Sequence, residues 1–197
     1  QKKLQESEQP LRKSIELNPD SFQAHLNLGA ILKDLGQLQE AEISTRKAIE
    51  LQPDFVEAYS NLGSILKDLG QLQEAELSTR KAIEINPDFA DAYLNLGNIL
   101  KDLGNFGDSI NHFKQALKQN NQLPIAQAAL IETKGNICDW SDLGTQNTWL
   151  KSLGIEGKSI NPWGLFPLED NPLKHLKRSK KLYKEKYTRP TKHIKSS

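Results

Sequence analysis

The chain holds a single cysteine, Cys138, and no methionine among 197 residues. One thiol cannot close an internal disulfide, so the fold has no covalent staple of its own. No apolar run approaches the ~20 residues of a membrane-spanning helix, and no signal-peptide pattern opens the chain. Aromatic residues make up 7% and apolar residues 37% of the sequence, with a mean hydropathy of -0.62, which is low for a compact enzyme of this length. Neither sign of charge dominates: 26 Lys and Arg stand against 25 Asp and Glu. The chain as a whole therefore carries no field that would select nucleic acid or an anionic membrane. These absences predict a soluble protein of a reducing compartment, the cytoplasm, with no nucleic-acid or membrane partner. The missing initiator methionine predicts a natural N-terminus upstream of Gln1.

What the sequence does have is repetition. "NLGAILKDLGQLQEAE" begins at Asn27, "NLGSILKDLGQLQEAE" at Asn61 and "NLGNILKDLGNFGDSI" at Asn95, each 34 residues after the last. Residues 21–54 match residues 55–88 at 25 of 34 positions, and 89–122 continue the register with more drift. Within a unit the apolar residues recur at helical spacing, as Tyr59, Leu62, Leu66 and Leu69, then Leu72, Ala75, Ala82 and Ile83, with Gly70 between the runs. Each unit thus reads as a helical hairpin. "QPD" at Gln52 and "NPD" at Asn86 close the second helix, because proline restricts the residue before it and removes a donor.

These residues resemble the tetratricopeptide repeat (TPR). The small and large positions of that family fall on Leu62, Gly63, Leu66, Ala75, Ala82 and Pro87, with Tyr59 at the aromatic site, and recur at Leu28, Gly29, Leu32, Ala41, Ala48 and Pro53. Thr45 and Thr79 stand where the family prefers an aromatic, which Phe113 retains, and Asn121 replaces the closing proline. The resemblance implies an all-α, right-handed α–α superhelix: a half repeat over 1–20, full repeats over 21–54, 55–88 and 89–122, and a C-terminal helical extension with capping helices over 123–153. A linker and basic amphipathic helix over 154–197 would then lead to a further domain. "LRKSIELNPD" before Ser21 copies the end of a repeat, so the array is expected to come from a longer one.

A hairpin of this size cannot bury its apolar side alone. Neighbouring hairpins stack, and their first helices line a concave groove suited to extended peptides. Asn61 follows Glu57 by four residues and precedes Ser64 by three and Asp68 by seven, which is one polar stripe along a helix. The corresponding stripes are Gln23, Asn27, Ala30, Asp34 and Asp91, Asn95, Asn98, Asp102. Stacking would set Asn27, Asn61 and Asn95 in a ladder, and an amide offers both donor and acceptor to a peptide backbone without reading its sequence. Glu57 and Asp91 would favour basic or hydroxyl-bearing peptides, with Ser64 and Asn98 beside them. The competing reading has each asparagine bonded to the backbone of its own or a neighbouring repeat, or simply solvated.

After one more helix, Ile125 to about Ile137, come "CDW" at Cys138–Trp140 and "PWGLFPLEDNPLKHLKRSKKLYKEKY" ending at Tyr187. This order is similar to the segment that joins the repeats to the catalytic domain in O-linked N-acetylglucosamine transferases and SPINDLY-type proteins. The resemblance implies a substrate-recruiting arm whose sugar chemistry resides in a domain beyond Ser197.

No catalytic constellation is legible in the chain itself. His25, His112, His175 and His193 are scattered without carboxylate or cysteine at ligand or triad spacing, and Cys138 has no basic partner within its turn. His25 reads as packing at the aromatic site, and Cys138 as a small buried residue held by Trp140. "GIEGKS" at Gly154–Ser159 lacks the first glycine and the preceding strand of a phosphate-binding loop. From Lys174 to Lys195 ten basic residues face Glu185 alone, but Leu173, Leu176, Tyr183 and Tyr187 recur at helical spacing, which reads as an amphipathic helix with solvated lysines.

The expectation is therefore a non-enzymatic, peptide- and protein-binding repeat array without cofactor or metal, the recruiting part of an O-linked glycosyltransferase. The alternative is a stand-alone scaffold that joins proteins or self-associates. Leu11, Ile15 and Leu17 of the leading half repeat are expected to lie uncovered and to seek a second copy through the solenoid ends.

Overall fold

Gly36, Gly70 and Gly104 each adopt φ near +80°, a left-handed conformation that costs glycine nothing. They set the grain of the molecule. In the computed structural model, which describes residues 2–137 together with 177 and 179–182, each of these glycines ends one helix and opens the next. The Gly70 N–H bonds to Lys67 O and the Gln71 N–H to Leu66 O, both at 2.9 Å, the paired bonds that satisfy the last carbonyls of a helix.

The helices in order are α1 (Lys2–Leu17), α2 (Phe22–Asp34), α3 (Leu38–Leu51), α4 (Val56–Asp68), α5 (Leu72–Ile85), α6 (Ala90–Asp102), α7 (Phe106–Gln119) and α8 (Pro124–Asn136). No strand occurs among the described residues. Residues 1–121 form one compact unit and 122–197 another. In the second, α8 is described along with the helical residues 177 and 179–182. The motifs at Cys138–Trp140 and Gly154–Ser159, and most of the basic run after Lys174, lie outside the described residues.

In the first unit α2 packs on α3, α4 on α5 and α6 on α7, so each pair is a hairpin. The hairpins also stack: α1 meets α2, α3 meets α4 and α5 meets α6. This is an all-α superhelical solenoid. Its core is shared between neighbours. Ile65 of α4 is fully buried with Leu28, Leu32 and Ala41 of the preceding hairpin, and Ile99 of α6 plays the same part against Leu62, Leu66 and Ala75. Leu11 and Ile15 of α1 pack onto the first of these clusters. The expectation that they lie uncovered is thereby corrected: α1 takes the place of a second helix against α2, and of the three only Leu17 is strongly exposed, at 80%.

Close approach within each hairpin depends on residues without a side chain. A Cβ placed on Gly63 would stand 2.0 Å from Thr79 Oγ1, and one on Gly97 would stand 2.5 Å from the Phe113 ring. Thr45 and Thr79 are fully buried and donate to Ala41 O and Ala75 O, each at 2.8 Å, so the smaller residue at the aromatic position brings a satisfied hydroxyl rather than a void.

Candidate peptide-binding groove

The first helices α2, α4 and α6 touch in succession, while the second helices α3 and α5 do not. The stack therefore bends toward the first helices and makes their shared face concave. Arg12 and Arg46 reach across the wider outer gaps to Glu40 and Glu74, and each also holds the glutamate one turn back on its own helix, Glu8 or Glu42. Both guanidinium pKa values are raised; at Arg12 the largest cause is the hydrogen bond to Glu8.

On the concave face α2, α4 and α6 line an open cavity of about 420 Å³. Leu26 and Lys33 contribute from α2, Glu57, Ser60, Asn61 and Ser64 from α4, and Phe89, Asp91, Leu94 and Asn95 from the start of α6. Five of the residues singled out in the sequence thus meet in one place: Glu57, Asn61, Ser64, Asp91 and Asn95. Asn27 and Asn98 do not line it.

The three asparagines share a register but not a bonding state. Asn27 is exposed and accepts from Gln23 Nε2 at 3.2 Å. Asn61 is half-buried, faces the cavity and makes no side-chain hydrogen bond among the described residues. Asn95 donates from Nδ2 to Ser60 Oγ at 2.9 Å and to Ser60 O at 3.3 Å. The uniform ladder is therefore interrupted, and the physical reason is a hydroxyl: Ser60 occupies the position held by Leu26 and Leu94 in the neighbouring repeats, and the Asn95 amide donates to it.

Ser64 accepts from Lys33 Nζ at 2.6 Å, and Lys33 also lies 3.7 Å from the Asp68 carboxylate. Lys67 and Asp102 repeat this spacing at 3.9 Å. Glu57 and Asp91 sit in the first turns of α4 and α6, where the helix dipole favours a carboxylate. Neither has an ion-pair partner among the described residues. Lys33, Ser60, Phe89, Leu26 and Leu94 were not singled out in the sequence. Leu26 is a core residue, packed with Ala48 and Ala58, that also reaches the cavity, and Ser60 could have been found by asking where one repeat breaks the pattern of the others.

The cavity offers an open amide, two open carboxylates and apolar walls, a set suited to holding a polar chain. Among the described residues no three His, Cys, Asp or Glu side chains gather as a metal site would require. His25 lies outside the cavity, its Nε2 2.9 Å from Pro19 O, and His112 stacks on Tyr93 with ring centroids 6.0 Å apart. His175, His193 and Cys138 lie outside the described residues.

Sequence models described as TPR repeat and tetratricopeptide repeat match residues 11–43 and 45–76, 63–104, and 90–122, together more than half of the chain. The chain belongs to the tetratricopeptide repeat family. Solved TPR-fold structures agree. The crystal structure of MamA shares 19% identity over 92% of this chain and 91% of its own, with a TM-score of 0.62. A thermophilic TPR protein of Thermus thermophilus shares 20% identity over 69% of this chain and 75% of its own, with a TM-score of 0.63. The TPR domain of Arabidopsis OM64 shares 22% identity over 59% of this chain and 96% of its own, with a TM-score of 0.57. At these identities the likeness establishes the fold alone. No curated protein matches the chain. No helix among the described residues is long and apolar enough to cross a membrane.

Proposed function

We propose that this TPR array binds an extended polypeptide segment in the groove formed by α2, α4 and α6. The observation that carries this reading is Asn61. Its amide is half-buried, faces the cavity and has no hydrogen bond among the described residues, whereas Asn27 and Asn95 are each held by a neighbour. An open amide at the centre of a concave face can give one hydrogen bond and accept another from a peptide backbone. Glu57 and Asp91, one repeat apart and without an ion-pair partner among the described residues, favour a segment that carries a basic or hydroxyl-bearing side chain. The groove works as a clasp, in which backbone contacts supply affinity and the carboxylates bias the sequence.

Attachment of this array to an O-linked glycosyltransferase rests on the motifs at Cys138–Trp140 and up to Tyr187, most of which lie outside the described residues. A stand-alone scaffold uses the same groove, and the reading frame after Ser197 separates the two: a sugar-nucleotide domain supports the first and an unrelated continuation removes it. Binding itself is tested by selecting displayed, unstructured peptides on the full chain and titrating those retained. Replacing Asn61 with alanine removes one or two exposed contacts of about 0.5 to 1.5 kcal/mol each, so affinity should fall at least about two-fold and, for a single strong contact, about twelve-fold. Helix content should stay the same. Unchanged affinity, or no peptide retained above background, overturns the clasp.

A further inference from the structure

The second helices carry an apolar feature that the groove does not use. Ile43 on α3 and Leu77 on α5 are each 69% exposed, the most exposed large aliphatic residues of the repeats themselves. They occupy one position in successive repeats, 34 residues apart, and the same position is polar elsewhere: Gln9 in α1 and Asn111 in α7. Among α1, α3, α5 and α7 the aliphatic thus stands at this position on two neighbouring outer helices, α3 and α5. Large aliphatic side chains repeated on an outer face mark an interaction surface when they fall together.

The charges around these two residues specify what covers them. Each aliphatic has a glutamate three residues before it, Glu40 or Glu74, and an Arg–Lys pair three and four residues after it, Arg46–Lys47 or Arg80–Lys81. Side-chain exposure of these six runs from 39% to 51%, so they reach solvent even where they pair within the chain. From Glu40 to Lys47 and from Glu74 to Lys81 the charge therefore runs from negative to positive past the aliphatic centre, before Glu50 and Glu84 each pair with the lysine three residues back. Laid parallel, such a face opposes like charges; laid antiparallel on itself, it sets glutamate against Arg–Lys at both ends. A self-complementary patch of this kind is what a two-fold interface requires, because each contact of i with j is repeated as j with i.

We infer that two copies of this chain associate about a two-fold axis through the outer faces of α3 and α5, with Ile43 of one against Leu77 of the other. Glu40 then faces Arg80 and Lys81 across the axis, and Glu74 faces Arg46 and Lys47. The aliphatics supply the attraction, while the rim charges set orientation and the rate of encounter. This leaves the concave groove of each copy open. It is also distinct from end-to-end association through Leu17.

Sedimentation of the full chain over a wide concentration range should show a monomer–dimer equilibrium. Leu77→Lys or Ile43→Lys should weaken the dimer by about ten-fold or more, since a lysine would be pressed against an aliphatic surface without a partner, and circular dichroism should show helix content unchanged because both positions are exposed. In a Cys138→Ser background, the double variant Ile43→Cys, Leu77→Cys should cross-link into a covalent dimer under mild oxidation, and neither single cysteine should. A monomer at every concentration overturns the inference. So does a dimer that survives both lysine substitutions, or one abolished by Leu17→Lys instead.

Discussion

Asn95 donates from Nδ2 to Ser60 Oγ at 2.9 Å, joining α6 to α4 across the boundary between two repeats. Ser60 is nearly fully buried, so the bond tests what an asparagine on this face is for. Asn95→Ala should lower stability by about 0.5 to 1.5 kcal/mol, the net worth of an internal hydrogen bond, more if the Ser60 hydroxyl is left without a partner. Asn61→Ala should leave stability unchanged or slightly raised, because alanine is the better helix former. Urea melts of the two variants beside the parent check this, and equal losses would show that both asparagines hold the fold. A double-mutant cycle with Ser60→Ala should return a coupling of about 1 kcal/mol.

Gly63 should tolerate no side chain. A Cβ there meets Thr79 Oγ1 at 2.0 Å and Ala75 O at 3.1 Å, so Gly63→Ala must displace the threonine from its bond to Ala75 O and part α4 from α5. The expected cost is about 1 to 3 kcal/mol. Thr79→Ala in the same chain should recover part of it, and a thermal melt that shows no recovery would place the strain elsewhere.

Gly70 presents the opposite case. Nothing lies within 4 Å of a Cβ there, but its φ is +80°. Gly70→Ala should therefore cost about 1 to 2 kcal/mol through the backbone alone, and Gly70→Asn should cost less, since asparagine enters this region more readily. Equal losses for the two would indicate a steric cause.

His112 gives the hairpin of α6 and α7 an acid sensitivity. Its Nδ1 is buried without a hydrogen-bond partner among the described residues, and burial, followed by the nearby Arg80 charge, lowers its pKa, with Asp108 and Glu76 opposing. Because the folded value lies below that of the unfolded chain, the unfolded state takes up the proton first. The stability due to neutral His112 is present above about pH 6.5 and is lost as pH falls below it. In His112→Ser the hydroxyl can bond to Tyr93 O as Ser78 does to Tyr59 O, and the loss of stability as pH falls below about 6.5 should be smaller than in the parent. Identical pH profiles would assign the acid sensitivity to the carboxylates.

The hairpins were legible in the sequence because their causes are local. Gly70 ends one helix, Pro87 follows another, and the 34-residue period repeats both signals three times over. Of the seven residues named for the groove, five line the cavity for the same reason, since a stripe on one helix needs only its own period. Two kinds of information were not local. Ile65 stands outside the apolar set Tyr59, Leu62, Leu66 and Leu69 that one repeat shows by itself, yet it is fully buried because the preceding hairpin supplies Leu28, Leu32 and Ala41. The partner of Asn95 depends on a serine 35 residues earlier, on a different repeat. Leu11 and Ile15 were misjudged likewise, because their cover comes from α2 and the helices behind it.

The shared cores bear on how such a chain changes length. Ile31, Ile65 and Ile99 occupy one position of the period, as do Leu28, Leu62 and Leu96, and Leu32, Leu66 and Leu100. Excising or duplicating residues 55–88 would therefore join surfaces that already fit, with an isoleucine meeting the same pair of leucines at the new seam. Genetic recombination between near-identical repeats can shorten or extend the array by whole units without designing a new interface, and the length of the groove becomes a quantity that evolution can count out in steps.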